Sequence, residues 1–269
     1  TDLEDIAFGA AVLGTGGGGD PYIGKLLART AIELHGPVTL IDLNEVPDDA
    51  HVITCGAMGA PTIVLEKVPS GDELLMAMRY YEQVPQLEME TFNVYGDPAA
   101  PVAMADEKGN LALVETESAA KAEFIARGIC IRMGGQASLV NYAMDGATAR
   151  RVSVPATMTL AQDIGRVVRE AHTAHVKPID ALVDFLGTTH YGHASRLGSG
   201  KVTDIARRFE NGWSVGVVTI TPFDDALPYS IRIQNENLVV ERGAEVLAVV
   251  PDLICVLDLD TAEAIPTER

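Results

Sequence analysis

LGTGGGGDPY, residues 13–22, sets four consecutive glycines directly before an Asp-Pro pair. Glycine reaches positive φ and lets another group approach closely, so a run of four is costly to order unless that geometry is used. What flanks the run decides the fold. Upstream, Leu3, Ile6, Ala7, Ala10 and Leu13 fall at helical spacing, with Asp2, Glu4 and Asp5 in the first turn, where negative charge suits the helix dipole. Downstream, Asp20 is a good N-cap and Pro21 a good first helical residue for a second helix through about His35. The glycines therefore join helix to helix. Walker and Rossmann loops follow a strand, and neither GxxxxGK[ST] nor a strand-borne GxGxxG occurs here, so the nucleotide-fold reading is rejected. Two readings remain. The free N–H groups at the start of the Asp20 helix hold a carboxylate, carbonyl oxygen or phosphate, or the stretch is a close helix–helix corner with no ligand.

Beyond this corner, VTLIDL (38–43) and HVITCGAMG (51–59) read as strands separated by the turn-rich NEVPDDA. Ser70 followed by Glu73 is a capping box, opening a helix to about Gln83. A short helix or loop is expected around Glu88, then a strand over Val102 to Ala105. Ser118 to Arg127 and Thr157 to Leu186 are helical, the latter interrupted near Val176-Lys177-Pro178. After Gly200, short β-branched runs alternate with turns. The expected class is α/β with two domains: an N-terminal α/β domain over 1–122 and a C-terminal strand-rich α+β domain over 123–269, whose 157–186 helices pack against the later strands.

The 269 residues carry a formal net charge of −18, and 47% are hydrophobic. That content suffices for a packed core. The summed field repels polyanions, which argues against nucleic acid or an anionic membrane and for a small molecule or another protein as partner. No apolar run approaches the roughly 18 residues that span a bilayer, and TDLEDIAFGAAVLG lacks the basic start of a signal peptide. The chain reads as soluble and cytoplasmic. Cys55, Cys130 and Cys255 are widely spaced and odd in number, suiting reduced thiols better than disulfides or a CxxC metal site.

Several side chains could carry chemistry. His190 and His193 form an HxxH in a glycine-rich loop, without the HExxH context or further ligands that zinc needs, so packing histidines are the better reading and no metal site is assigned. Cys55 ends a strand, but a nucleophilic thiol needs a base or positive field, and on a straight strand His51 would lie roughly 13 Å away. A structural cysteine is favoured. Glu88 and Glu90 flank Met89, an apolar environment that raises a carboxylate toward general acid or base work. Asn235, Glu236 and Asn237 interrupt a strand-like run. Alternation would put Asn235 and Asn237 on one face as amide readers of a planar ligand, the other reading being a tight turn.

Taken in order, LGTGGGGDPY, MGAP (58–61), PSGDE (69–73), PQLEME (85–90), PATMTLAQDIG (155–165), QNENL (234–238) and VPDLI (250–254) resemble the domain-of-unknown-function family 917. That family is associated with S-methyl thiohydantoin desulfurase and often accompanies hydantoinase and oxoprolinase subunits. The resemblance implies two domains and hydrolytic chemistry on a five-membered cyclic ureide or thioureide, releasing a thiol. It implies Glu88 or Glu90 as base, the backbone of Gly16, Gly17, Gly18 and Gly19 with Asp20 positioning the ring, Met58 and Gly59 among the substrate-binding residues, and Asn235 and Asn237 as ring-amide readers. It identifies no cofactor. A homo-oligomer or a hydantoinase-like partner is expected, and the alternative function is a noncatalytic metabolite-binding subunit of such an assembly. Where the family carries a further stretch of about 40 residues, large against ordinary connections, Gln83 here runs directly into Val84-Pro85. Either this chain has lost that stretch or a segment is omitted at that point, and the second reading is favoured.

Overall fold

The computed structural model describes residues 2–14, 20–60, 63, 66–83, 101–116, 118–153, 157–188, 194–234, 237–249, 256–257 and 264–265. In chain order the helices are α1 (Asp2–Leu13), α2 (Tyr22–His35), α3 (Asp72–Glu82), α4 (Ala119–Arg132), α5 (Gly146–Val152), α6 (Thr157–Thr173) and α7 (Pro178–Leu186). The strands are β1 (His51–Gly59), β2 (Val102–Ala105), β3 (Leu111–Val114), β4 (Gln136–Asp145), β5 (Gly200–Glu210), β6 (Trp213–Pro222), β7 (Tyr229–Gln234), β8 (Asn237–Arg242), β9 (Glu245–Val249), β10 (Val256–Leu257) and β11 (Ala264–Ile265). They form two compact units, one of residues 1–25 with 157–269 and one of 26–156. Helices and antiparallel sheets occur in both, the two-domain mixed class the sequence implies. Residue 122, the expected boundary, lies inside α4, which packs on the sheet of its own unit.

In the 26–156 unit an antiparallel sheet has the order β1-β4-β2-β3. β2 explains its layering. Val102 and Met104 join a core with Ala122, Ala126 and Cys130 of α4, whereas Ala103 and Ala105 join one with Ala77 and Tyr81 of α3. Alternate residues of a strand point to opposite faces, so a strand covered by helices on both sides is apolar throughout. Half of the capping box forms: the Ser70 N–H donates to Glu73 Oε1 at 3.1 Å, but Gly71 is the N-cap and Ser70 Oγ accepts from the Asp72 N–H at 3.1 Å instead of from Glu73. VTLIDL is not a strand. Val38, Leu40 and Ile41 are exposed, and Leu43–Glu45 forms a 3₁₀ turn in which the Asp42 carboxylate accepts from the Asn44 N–H at 2.8 Å. Without a neighbouring strand, β propensity is overruled by that local side-chain bond.

In the other unit, β5 to β9 form a meander of antiparallel neighbours. Along β7, Tyr229, Ile231 and Ile233 are buried and alternate with Ser230, Arg232 and Gln234, the mark of a sheet with one covered face. Helix α6 packs chiefly on α1, through Val12, Leu160, Ile164 and Val168, with Leu182 of α7. Of the later strands, Leu257 of β10 reaches that cluster. Among the described residues, these helices thus pack mainly on α1 and on each other. The α1–α6 packing has its cause in the pair Gly9 and Gly165, which let the helix backbones touch: a Cβ on Gly9 would lie 2.6 Å from Ala161 Cα. Arg169 locks the pair, its Nε and Nη2 donating to the two Asp5 oxygens at 2.9 and 2.8 Å.

Candidate functional site

The helices flanking LGTGGGGDPY are both present, and the Asp20 carboxylate accepts from the Tyr22 N–H at 2.9 Å, as an N-cap does. The Pro21 carbonyl accepts the first helical bond, from the Lys25 N–H. Lys25 Nζ meets Glu4 Oε2 of α1 at 2.6 Å. Gly16 to Gly19, Glu88, Glu90, Asn235, His190 and His193 lie outside the described residues. Asn237 pairs with Gln234 across the β7–β8 ladder.

Met58 and Gly59 are brought to a built corner. Gly59 ends β1 opposite Gln136, which begins β4. A Cβ on Gly59 would lie 2.5 Å from the Gly135 carbonyl oxygen and 3.1 Å from Gln136 Cα, so only glycine allows this approach. The Gly135 carbonyl accepts from the Ala60 N–H at 3.2 Å, and its own N–H donates to the Cys130 carbonyl at 2.9 Å. Gly134 and Gly135 have φ of 90° and 86°, a turn that takes the chain from α4 into β4. The Cys130 thiol donates to the Met58 carbonyl oxygen at 3.2 Å, and burial pushes its pKa up, which keeps it a neutral thiol.

The pairing of Ala105 with Ser138 brings the β2–β3 hairpin tip to the same end of the sheet. There the Asp106 carboxylate, 2% exposed, accepts from the Lys108 and Asn110 N–H groups and from Asn110 Nδ2. Burial raises its pKa, and those donors outweigh the rise, leaving it below the ordinary value. Lys67 Nζ meets Glu107 Oε1 at 3.0 Å. Within this framework one group stands out. Gln136 is 9% exposed, and among the described residues its Oε1, like Asn141 Oδ1 further along β4, is buried with no hydrogen-bond partner. Such an acceptor costs about 1–3 kcal/mol when nothing donates to it.

Tyr81, near the end of α3, accepts from the Ala143 N–H of β4 through its hydroxyl. Gln136 and the Gly134-Gly135 pair escaped the sequence reading. The GG dipeptide between a helical and a strand-like pattern was the available signal. Among the described residues no group of three or more His, Cys, Asp or Glu side chains could hold a metal ion, and no helix is long and apolar enough to cross a membrane.

Comparison with known proteins matches both parts of the chain. A family model described as S-Me-THD-like, N-terminal domain, matches residues 1–84, and one described as S-Me-THD-like, C-terminal domain, matches residues 117–269. Among solved structures, a crystal structure of a protein from Chromobacterium violaceum is similar, with a TM-score of 0.66 and 19% identity over 99% of this chain and 83% of that one. At that identity the likeness is one of fold. No curated relative matches the chain.

Proposed function

Because the chain belongs to the S-methyl thiohydantoin desulfurase-like family, matched along both of its domains, we propose that it hydrolyses the carbon–sulfur bond of an S-alkylated thiohydantoin or a related cyclic thioureide. The observation that carries the reading is the unpartnered Oε1 of Gln136, opposite Gly59. A buried amide oxygen accepts a hydrogen bond and calls for an N–H donor, and the ring of a hydantoin-like compound supplies one. In the reaction, water oxygen bonds to the ring carbon bearing sulfur and the carbon–sulfur bond breaks. One water proton ends on the departing thiolate and the other on the ring nitrogen, giving the cyclic ureide and a thiol. Glu88 or Glu90 takes the water proton, a role resting on the family resemblance.

The two parts are tested separately. Gln136→Leu removes the orphan acceptor, so stability stays level or rises, while calorimetric affinity for the cyclic ureide product falls about tenfold or more. Unchanged affinity contradicts the assignment of Gln136. The double variant Glu88→Gln, Glu90→Gln retains product affinity and loses turnover; undiminished turnover removes both glutamates as bases.

A further inference from the structure

Strand β5 has a single neighbour, β6, among the described residues, and so offers one edge of its backbone hydrogen-bonding groups to another strand. Proteins usually blunt such edges with bulges and charge. Here the bulge falls between Val202 and Asp204, at the start of the strand, and leaves Asp204 to Glu210 in regular register with β6. This run is exposed, with Ile205 at 59% and Phe209 at 79%. Its charges are mixed rather than uniformly repelling: Asp204, Arg207, Arg208 and Glu210.

We infer that β5 pairs with β5 of a second copy of this chain, antiparallel about a two-fold axis through Ala206. The register follows from geometry and charge. Residues opposite each other in an antiparallel ladder share a face, so a two-fold pairing must be centred on a residue. Centring on Arg207 sets Asp204 against Glu210 and Arg207 against itself. Centring on Ile205 sets Asp204 against Ala206, leaving the acid without a cation. Centring on Ala206 sets Asp204 against the second copy's Arg208, and Arg208 against its Asp204, on the same face and on both sides of the axis. On the other face Ile205 meets the alkyl stem of the second copy's Arg207. The interface is isologous and closes at two copies.

The test uses the full chain at micromolar concentration in sedimentation velocity. Wild type sediments as a dimer. D204R gives a chain with two cations at these positions and R208D one with two anions; each turns both cross-strand pairs repulsive and weakens the dimer about tenfold or more. An equimolar mixture of the two restores dimers, and so does the double variant D204R/R208D, because the opposed charges are again unlike. Unchanged thermal melting of the variants shows that they fold. A monomeric wild type overturns the inference, as do single variants that remain fully dimeric, a mixture that stays monomeric, or open polymers formed by β5 pairing with another edge.

Discussion

The contact of α1 with α6 yields a test whose sign is set by geometry. In an exposed helix interior, glycine to alanine stabilises by about 1 kcal/mol. Gly128 of α4 is such a site: a Cβ there would meet nothing within 4 Å. Gly165 of α6 has the same intrinsic preference, but its Cβ would lie 2.6 Å from Asp5 Cα, a backbone atom that cannot rotate away. Carbon atoms at rest in contact are about 3.5–4.0 Å apart, so the helices must separate by about 1 Å. That separation loosens the packing of Val12 on Leu160 and Ile164 and stretches the Arg169–Asp5 pair. Overpacking of this kind costs about 1–3 kcal/mol or somewhat more, exceeding the propensity gain. In thermal denaturation, at about 2–4 °C per kcal/mol for a chain of this size, Gly165→Ala melts several degrees below wild type and Gly128→Ala slightly above it. A Gly165→Ala protein as stable as wild type would refute the reasoning.

Acid should unfold the protein through three buried carboxylates. The Arg169 hydrogen bond holds Asp5 below its ordinary value, and at Glu73 and Asp106 the hydrogen bonds received outweigh the upward push of burial. Each therefore contributes stability that is complete above the unfolded values, about pH 4, and lost as pH falls through the lower folded ones. Urea midpoints should decline below that pH, and Asp5→Asn should flatten the decline. Thiol labelling separates two cysteines: exposed Cys55 reacts in the native protein, whereas buried Cys130, with its raised pKa, reacts only on unfolding. Mass spectrometry of labelled peptides checks this, and native labelling of Cys130 would contradict the buried corner.

Elements whose signal is local were legible in the sequence. The boundaries of β1 and β2, the Glu73 bond to the Ser70 N–H and the break at Pro178 all follow from periodicity, capping and proline chemistry. VTLIDL is not legible as a loop, because its β-branched composition says nothing about whether a partner strand is near. The Gln136 corner was hidden for a related reason. Its meaning depends on Gly59 lying opposite across the ladder, a contact between residues far apart in sequence. The α1–α6 pairing likewise rests on Gly9 and Gly165 meeting backbone that no local pattern announces.

The most direct measurement is thiol release from an S-methylated thiohydantoin by the purified full-length chain, followed with a thiol reagent alongside Gln136→Leu and the Glu88→Gln, Glu90→Gln double variant. Stoichiometric thiol and cyclic ureide from wild type, lost in the double variant and weakened at low substrate by Gln136→Leu, is the predicted result. Saturable ligand binding with no thiol released would contradict the hydrolase reading and leave a metabolite-binding subunit in its place.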